Sequence, residues 1–133
     1  MRFQGCIPIY RNSLKRTRLA LDYALDSLRW SPAGIAVFPE GTRSPHGNLL
    51  PYHRGTFNLA SRAGVPLVPF ALDGTGALMP RGAWAPRPGV IRLVFGEPIS
   101  VEEIARLTLD ELMQRARACT ETALATLRSR PAR

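Results

Sequence analysis

The segment Phe38–Ser44, which reads Phe-Pro-Glu-Gly-Thr-Arg-Ser, concentrates residue types that bind an anionic substrate. Arg43 offers a planar fork of donors that suits phosphate oxygens, and Thr42 adds a hydroxyl donor beside it. Gly41 lets the backbone approach a ligand closely, and Glu40 can either hold Arg43 in position or accept a substrate hydroxyl. These residues predict an anion site, although the same segment would also fit a solvated turn.

The elements around this segment predict an α/β fold. An apolar run over 35–39 reads as a buried strand, and the anion segment lies at its C-terminal end, where open α/β sheets bind ligands. Further strands are predicted over 5–10, 67–72 and 90–95. Because strands alternate with helices, we expect one domain over 1–133 with a mainly parallel central sheet flanked by helices.

Four helices are predicted from apolar spacing and capping residues. The first runs over about 14–29, the second over 56–63, a third begins at Ser100, and the fourth runs over about 108–129. One face of the first helix carries four leucines: Leu14, Leu21, Leu25 and Leu28. Ser100 and Thr108 are each followed three residues later by a glutamate, which is the capping-box pattern of a helix start.

The composition is that of a globular protein and excludes several classes. Of the 133 residues, 45% are apolar and 21% are charged. No apolar run approaches the roughly 18–20 residues that span a bilayer, and no apolar leader is visible, so we expect a cytoplasmic protein. Cys6 and Cys119 lie at opposite ends of the chain without a Cys/His cluster, so no metal site is expected.

The positive charge is unevenly distributed. The net charge is +8, and residues 1–62 carry nine basic against three acidic residues, or +6. Such an excess favours an anionic partner, which could be phosphate, anionic lipid or nucleic acid. A basic cluster near the N-terminus is either a solvated face or a surface for anionic headgroups: Arg11, Lys15, Arg16 and Arg18.

The anion segment resembles the signature block of the glycerolipid acyltransferases, the 1-acylglycerol-3-phosphate acyltransferase family. Gly5–Arg11 resembles the upstream block of that family, with Tyr10 where the family often has Asp. Three later stretches resemble family blocks in the expected order: Leu49–Thr56, Val65–Phe70 and Arg87–Ile99. The resemblance covers about residues 5–100.

This resemblance implies an acyltransferase fold of the glycerol-3-phosphate acyltransferase type and a role in phospholipid biosynthesis. A fatty acyl group would pass from acyl-CoA or acyl carrier protein to the free hydroxyl of a lysophosphatidic-acid-like glycerol phosphate, without a further cofactor. Arg11 and Arg43 would hold the acceptor phosphate, and Glu40, Gly41 and Thr42 would complete the substrate site. The protein would contact the anionic cytoplasmic face of the membrane peripherally.

The catalytic element of the family has no counterpart in this chain. In the family, a His followed by Asp precedes the block that begins here at Gly5, and its imidazole is the general base. The fifth residues after His46 and His53 are Pro51 and Asn58. No catalytic residue is therefore assigned, and the chain is expected to be an N-terminally truncated, partial acyltransferase domain.

Two other functions remain open at this point. The chain could be a catalytically inactive fragment or phosphate-binding module of the same fold. It could also be a small basic nucleic-acid-binding protein, which would explain the charge, but no recognised motif supports that reading and no nucleic-acid partner is expected.

Overall fold

The computed structural model describes residues 6, 7, 9, 13–30, 34–80 and 82–129. The helices are α1 (Leu14–Trp30), α2 (Arg54–Ala63), α3 (Thr75–Leu78), α4 (Val101–Arg106) and α5 (Leu109–Ser129). The strands are β1 (Phe70–Asp73) and β2 (Arg92–Phe95). The predicted fold class is confirmed as a mixture of helices and a sheet, but the sheet differs from the expectation.

The sheet of the described residues is small and antiparallel. β1 pairs with β2 so that Phe70 lies opposite Phe95 and Asp73 lies opposite Arg92. The Arg92 guanidinium binds the Asp73 carboxylate and holds the pKa of Asp73 below its usual value. The expected mainly parallel central sheet is thus not confirmed here. A parallel crossover usually contains a long helix, whereas the connection between these strands contains only the one-turn helix α3.

Two other predicted strands do not appear as strands. The predicted strand over 35–39 is not formed: residues 34–38 belong to no helix or strand of the described structure. Phe38 instead packs edge-to-face on Phe70, with 5.7 Å between the ring centroids. Most of the predicted strand over 5–10 lies outside the described residues, and the described positions 6, 7 and 9 are not in a strand.

The helices agree well with their sequence patterns. On α1, Leu25 is buried and Leu21 and Leu28 are partly buried against α2, as the leucine spacing predicts; the side chain of Leu14 lies outside the described residues. The Thr108–Glu111 pair forms a reciprocal capping box, whereas Ser100 caps α4 through its hydroxyl alone and the Glu103 carboxylate binds Arg115. The Ser100 hydroxyl accepts from the Glu103 amide at 3.2 Å, and the Thr108 amide donates to the Glu111 carboxylate at 2.7 Å.

The core sits where α5 crosses the other elements. The largest fully buried side chains are Phe57 of α2, Leu112 of α5 and Ile99, which lies just before α4. Further along α5, Ala123 and Leu127 pack on Ala71 of β1. One face of a single long helix therefore covers the helical core with its first half and the sheet with its second half.

The opposite face of the sheet is apolar and only partly covered by the described residues, because Phe38 packs on Phe70. The register places four apolar side chains on that face: Phe70, Leu72, Leu93 and Phe95. Leu93 is 47% exposed and Phe95 is 64% exposed.

We expect Leu112→Ala to lower the free energy of unfolding by about 2–5 kcal/mol, because it opens a cavity between α5 and α2. Leu93→Ala on the exposed sheet face is the matched control and should change stability by about 0.5 kcal/mol or less. Urea denaturation followed by circular dichroism measures both, and equal losses would contradict the assignment of the core.

Candidate functional site

The anion segment opens a loop whose neck is closed by backbone hydrogen bonds. The Gly41 amide donates to the Phe38 carbonyl at 3.0 Å, and the His53 amide donates to the Pro39 carbonyl at 2.8 Å. Gly41 has a φ of 64°, in the left-handed region that side chains other than glycine rarely adopt. Residues 39–53, called the signature loop below, therefore follow the stretch 34–38 and lead to the start of α2.

Glu40 closes the signature loop from inside. Its Oε2 accepts a hydrogen bond from the Leu50 amide at 2.7 Å, and the contact is partly buried. Such charge-assisted bonds are roughly twice as strong as neutral ones. The sequence suggested that Glu40 holds Arg43 or accepts a substrate hydroxyl, and the structure adds a backbone role that sequence spacing does not reveal.

Arg43 lies on the exposed side of the signature loop. Its Nη1 donates to the Met79 carbonyl at 3.0 Å, so the end of α3 orients the guanidinium. Thr42 beside it is also exposed. Arg43 and Thr42 therefore present donors to solvent from a loop of defined shape, as a site for an anion requires.

The hydroxyl of Ser44 points the other way. Its Oγ is buried and has no hydrogen-bond partner among the described residues. The last residue of the anion segment thus belongs to the inside of the loop, and it does not share the exposed surface of Thr42 and Arg43.

Two arginines of α5 hold the far side of the signature loop. Arg117 donates to the Leu50 carbonyl at 2.8 Å and to the Leu49 carbonyl at 3.2 Å. Arg128 donates to the Gly47 carbonyl. Sequence reasoning missed both residues, although their separation of eleven positions, which places them on one face of a helix, was an available signal.

Tyr52 joins the signature loop to the core. Its ring stacks on Phe57 with centroids 5.8 Å apart, and the Arg117 guanidinium lies 5.5 Å from the Tyr52 ring centroid. Burial raises the pKa of the Tyr52 phenol. Arg117 therefore contacts both the backbone and an aromatic side chain of the loop.

The other candidate residues, Arg11 and the two histidines, do not add to the site at the signature loop. Arg11, the predicted second phosphate ligand, lies outside the described residues. His46 and His53 are both exposed, and within the described part of the chain neither imidazole takes part in a hydrogen bond or ion pair. Residues 13–30, 34–80 and 82–129 also contain no group of three His, Cys, Asp or Glu side chains placed to hold a metal ion.

Comparison with known proteins places the chain in a family. The family model described as Acyltransferase matches residues 1–73, which include the whole anion segment. The chain belongs to this acyltransferase family, and the resemblance noted from its motifs is confirmed.

Individual relatives agree with this assignment. The chain is 35% identical over 100 residues to the chloroplastic 1-acyl-sn-glycerol-3-phosphate acyltransferase BAT2 of Brassica napus. The aligned residues cover 74% of this chain and 29% of the relative. It is 38% identical over 93 residues to the 1-acyl-sn-glycerol-3-phosphate acyltransferase of Pseudomonas aeruginosa, covering 70% of this chain and 36% of the relative.

A solved structure shares the fold. The crystal structure of the 1-acyl-sn-glycerophosphate (LPA) acyltransferase PlsC from Thermotoga maritima matches with a TM-score of 0.78 and 30% identity. The match covers 89% of this chain and 48% of that protein. The chain thus spans about a third of the length of the two curated relatives and about half of the solved one.

We expect Glu40→Ala to open the signature loop, because the Leu50 amide loses its carboxylate partner. Hydrogen exchange at that amide should accelerate about tenfold or more, since a hydrogen bond to a charged group contributes about 1.5–3 kcal/mol. Glu40→Gln keeps an acceptor oxygen and should accelerate exchange less.

The matched control is Glu102→Ala, which removes an exposed carboxylate from the first turn of α4. It should leave exchange at the Leu50 amide unchanged. If Glu102→Ala and Glu40→Ala accelerated that amide equally, the contact with Glu40 would not be what closes the loop.

Proposed function

We propose that this chain carries the acceptor-phosphate site of an acyltransferase of phospholipid biosynthesis. The acceptor is a lysophosphatidic-acid-like glycerol phosphate, and the acyl donor is acyl-CoA or acyl carrier protein. The observation that carries the proposal is the exposed Arg43 guanidinium, oriented by the Met79 carbonyl on a loop with the family's signature residues. The relatives named above act on 1-acyl-sn-glycerol-3-phosphate, which supports the same acceptor class.

In this proposal, the acceptor phosphate binds at the outer surface of the signature loop. Arg43 donates two hydrogen bonds to phosphate oxygens, and the Thr42 hydroxyl donates another. Gly41 lets the backbone come close to the anion, and Arg11 completes the site from the upstream block. Glu40 keeps the loop in the shape that presents these donors.

The reaction joins the bound acceptor to the donor. The acceptor hydroxyl oxygen attacks the thioester carbonyl carbon, a C–O bond forms and the C–S bond breaks. The hydroxyl proton passes to a general base, and the thiol leaves after protonation. The family resemblance assigns that base to a His–Asp pair upstream of Gly5, so the residues of this chain bind and orient the acceptor.

We also propose that the stretch 34–38 is a strand of a larger, mainly parallel sheet in the complete fold. Exposure alternates along it, with Ile35 and Val37 less exposed than Gly34, Ala36 and Phe38. This alternation is typical of a strand with one covered face. A peripheral position at the anionic cytoplasmic face of the membrane fits the positive charge of residues 1–62.

We expect Arg43→Ala to weaken binding of glycerol 3-phosphate and short-chain lysophosphatidic acid by about 10- to 150-fold, because a charged hydrogen bond to phosphate is lost. Arg43→Lys should recover part of the affinity, since an ammonium cannot make the two-pronged contact. NMR titration of the purified chain measures the dissociation constants.

The control variant is Arg106→Ala, which removes an exposed arginine at the end of α4. It should leave the affinity for both phosphate esters within about twofold, as expected for a charge screened from the site. A monoacylglycerol without phosphate should bind Arg43→Ala and the unaltered chain equally. Equal losses in Arg43→Ala and Arg106→Ala would argue against a phosphate site at the signature loop.

A non-catalytic phosphate-binding module is the second candidate function. It is favoured because the imidazoles of His46 and His53 are exposed and no described carboxylate orients either of them as a general base. We expect the purified 133-residue chain to transfer no acyl group from acyl-CoA to lysophosphatidic acid above background, because a general base contributes about 10²–10⁴-fold. A radiolabelled-donor assay measures this rate. Clear turnover that is abolished by His46→Gln or His53→Gln would instead make that histidine the base.

A further inference from the structure

Helix α1 has apolar side chains on two opposite faces. Its inner face packs on Leu59 of α2. The buried Ala24 and Leu25 and the partly buried Leu21 and Leu28 form this face. A helix on the surface of a globular protein normally needs one such stripe, directed at the core. Packing against the core therefore does not explain the second apolar face of α1.

The second face consists of Leu19, Tyr23 and Trp30, which are 61%, 61% and 88% exposed. At about 100° per residue, spacings of four and eleven bring the three side chains within roughly 40° of one another around the helix. They lie on the side of α1 opposite the buried Leu25. We call these three residues the outer stripe.

Positive charges border the outer stripe. Lys15 and Arg18 lie one turn or less before it, Arg29 lies beside Trp30, and all three are exposed. Two acidic residues occur on α1. Asp22 is paired with Arg62 of α2 at 3.3 Å, whereas Asp26 is exposed and lies on the same face as the outer stripe, seven residues after Leu19 and four before Trp30. Three exposed cations therefore stand against one exposed carboxylate, and the net charge along the stripe is positive.

We propose that the outer stripe of α1 docks on an anionic lipid bilayer, with Leu19, Tyr23 and Trp30 in the headgroup–acyl boundary. Helices that lie in a membrane interface combine an aromatic and aliphatic face with bordering cations. Trp and Tyr are enriched at that depth, and each nearby Lys or Arg attracts anionic headgroups. The inference deepens the membrane contact proposed above by assigning it to one helix face.

The partly exposed sheet face is the rival surface, and its chemistry differs. Phe70, Leu93 and Phe95 lie on that face, while the neighbouring Arg92 points to the other side and binds Asp73. An apolar surface whose neighbouring Arg92 is turned away and paired suits a protein partner or a further part of a fold better than anionic headgroups. The outer stripe of α1 is therefore the surface with both parts of the lipid-binding chemistry.

The two tryptophans of the chain provide a direct test. Trp30 belongs to the outer stripe, and Trp84 lies in the loop between β1 and β2 with 95% exposure. Trp84→Phe leaves Trp30 as the reporter, and Trp30→Phe leaves Trp84. Vesicles of phosphatidylcholine with about a quarter phosphatidylglycerol supply the anionic surface.

We expect the fluorescence of Trp84→Phe to shift to the blue when these vesicles are added, because Trp30 leaves water. Trp30→Phe should show no shift, and neither variant should shift with pure phosphatidylcholine. A shift from Trp84 alone, or no shift from Trp30 with anionic vesicles, would overturn the proposal.

Sedimentation with the same vesicles tests the bordering charges. Lys15→Gln with Arg18→Gln should lower the partition coefficient about 25-fold, at about fivefold per cation. The matched double variant Arg87→Gln with Arg106→Gln removes the same charge from exposed positions outside α1 and should lower it by less than about threefold. Equal losses of vesicle binding in the two double variants would overturn the proposal that α1 carries the docking face.

A second pair of variants separates the outer stripe from the sheet face. Leu19→Ser with Tyr23→Ser should reduce vesicle binding, while Leu93→Ser with Phe95→Ser should not. The reverse result would overturn the proposal in favour of the sheet face. Leu19→Ser with Tyr23→Ser should keep its affinity for glycerol 3-phosphate within about twofold, so loss of membrane docking is measured independently of the phosphate site.

Discussion

The charged hydrogen bonds to the backbone of the signature loop are the constraint on which the candidate site depends. Glu40 binds the Leu50 amide from within the loop, and Arg117 binds the carbonyls of Leu49 and Leu50 from α5. The same two-residue stretch is therefore held through both its donor and its acceptors. With that backbone fixed, Arg43 and Thr42 can face solvent from a loop that keeps its shape.

This constraint explains the length and position of α5. Leu112 and Ala116 pack in the main core, Ala123 and Leu127 cover the sheet, and arginines of the same helix reach the signature loop. The clamping contacts join residues 67 to 81 positions apart in sequence. A site composed of residues 40–43 thus depends for its geometry on the C-terminal quarter of the chain.

Local patterns predicted local features, and pairing across the chain was harder to predict. The helix starts at Ser100 and Thr108 and the leucine spacing of α1 depend on neighbours within a few residues, and they are confirmed, although only Thr108 forms the full capping box. The direction of strand pairing depends on how a long connection folds back, which composition does not encode, so the parallel sheet was not found here. Arg117 reads as a solvated helix residue until its carbonyl partners are known. The motif residues of the site were identifiable because their type and order match a family.

The use of arginine clarifies what the net charge of +8 represents. Of the 18 basic residues only Lys15 is a lysine, and several arginines make contacts that a lysine could not reproduce. Arg117 reaches two carbonyls with separate nitrogens and also meets the Tyr52 ring, which requires a planar, multi-donor cation. Arg115 likewise spans Glu97 and Glu103. Much of the positive charge is therefore committed to internal contacts. The cations left facing solvent are those of local surfaces, such as the border of the outer stripe, and the charge acts through particular sites more than as a diffuse field around the protein.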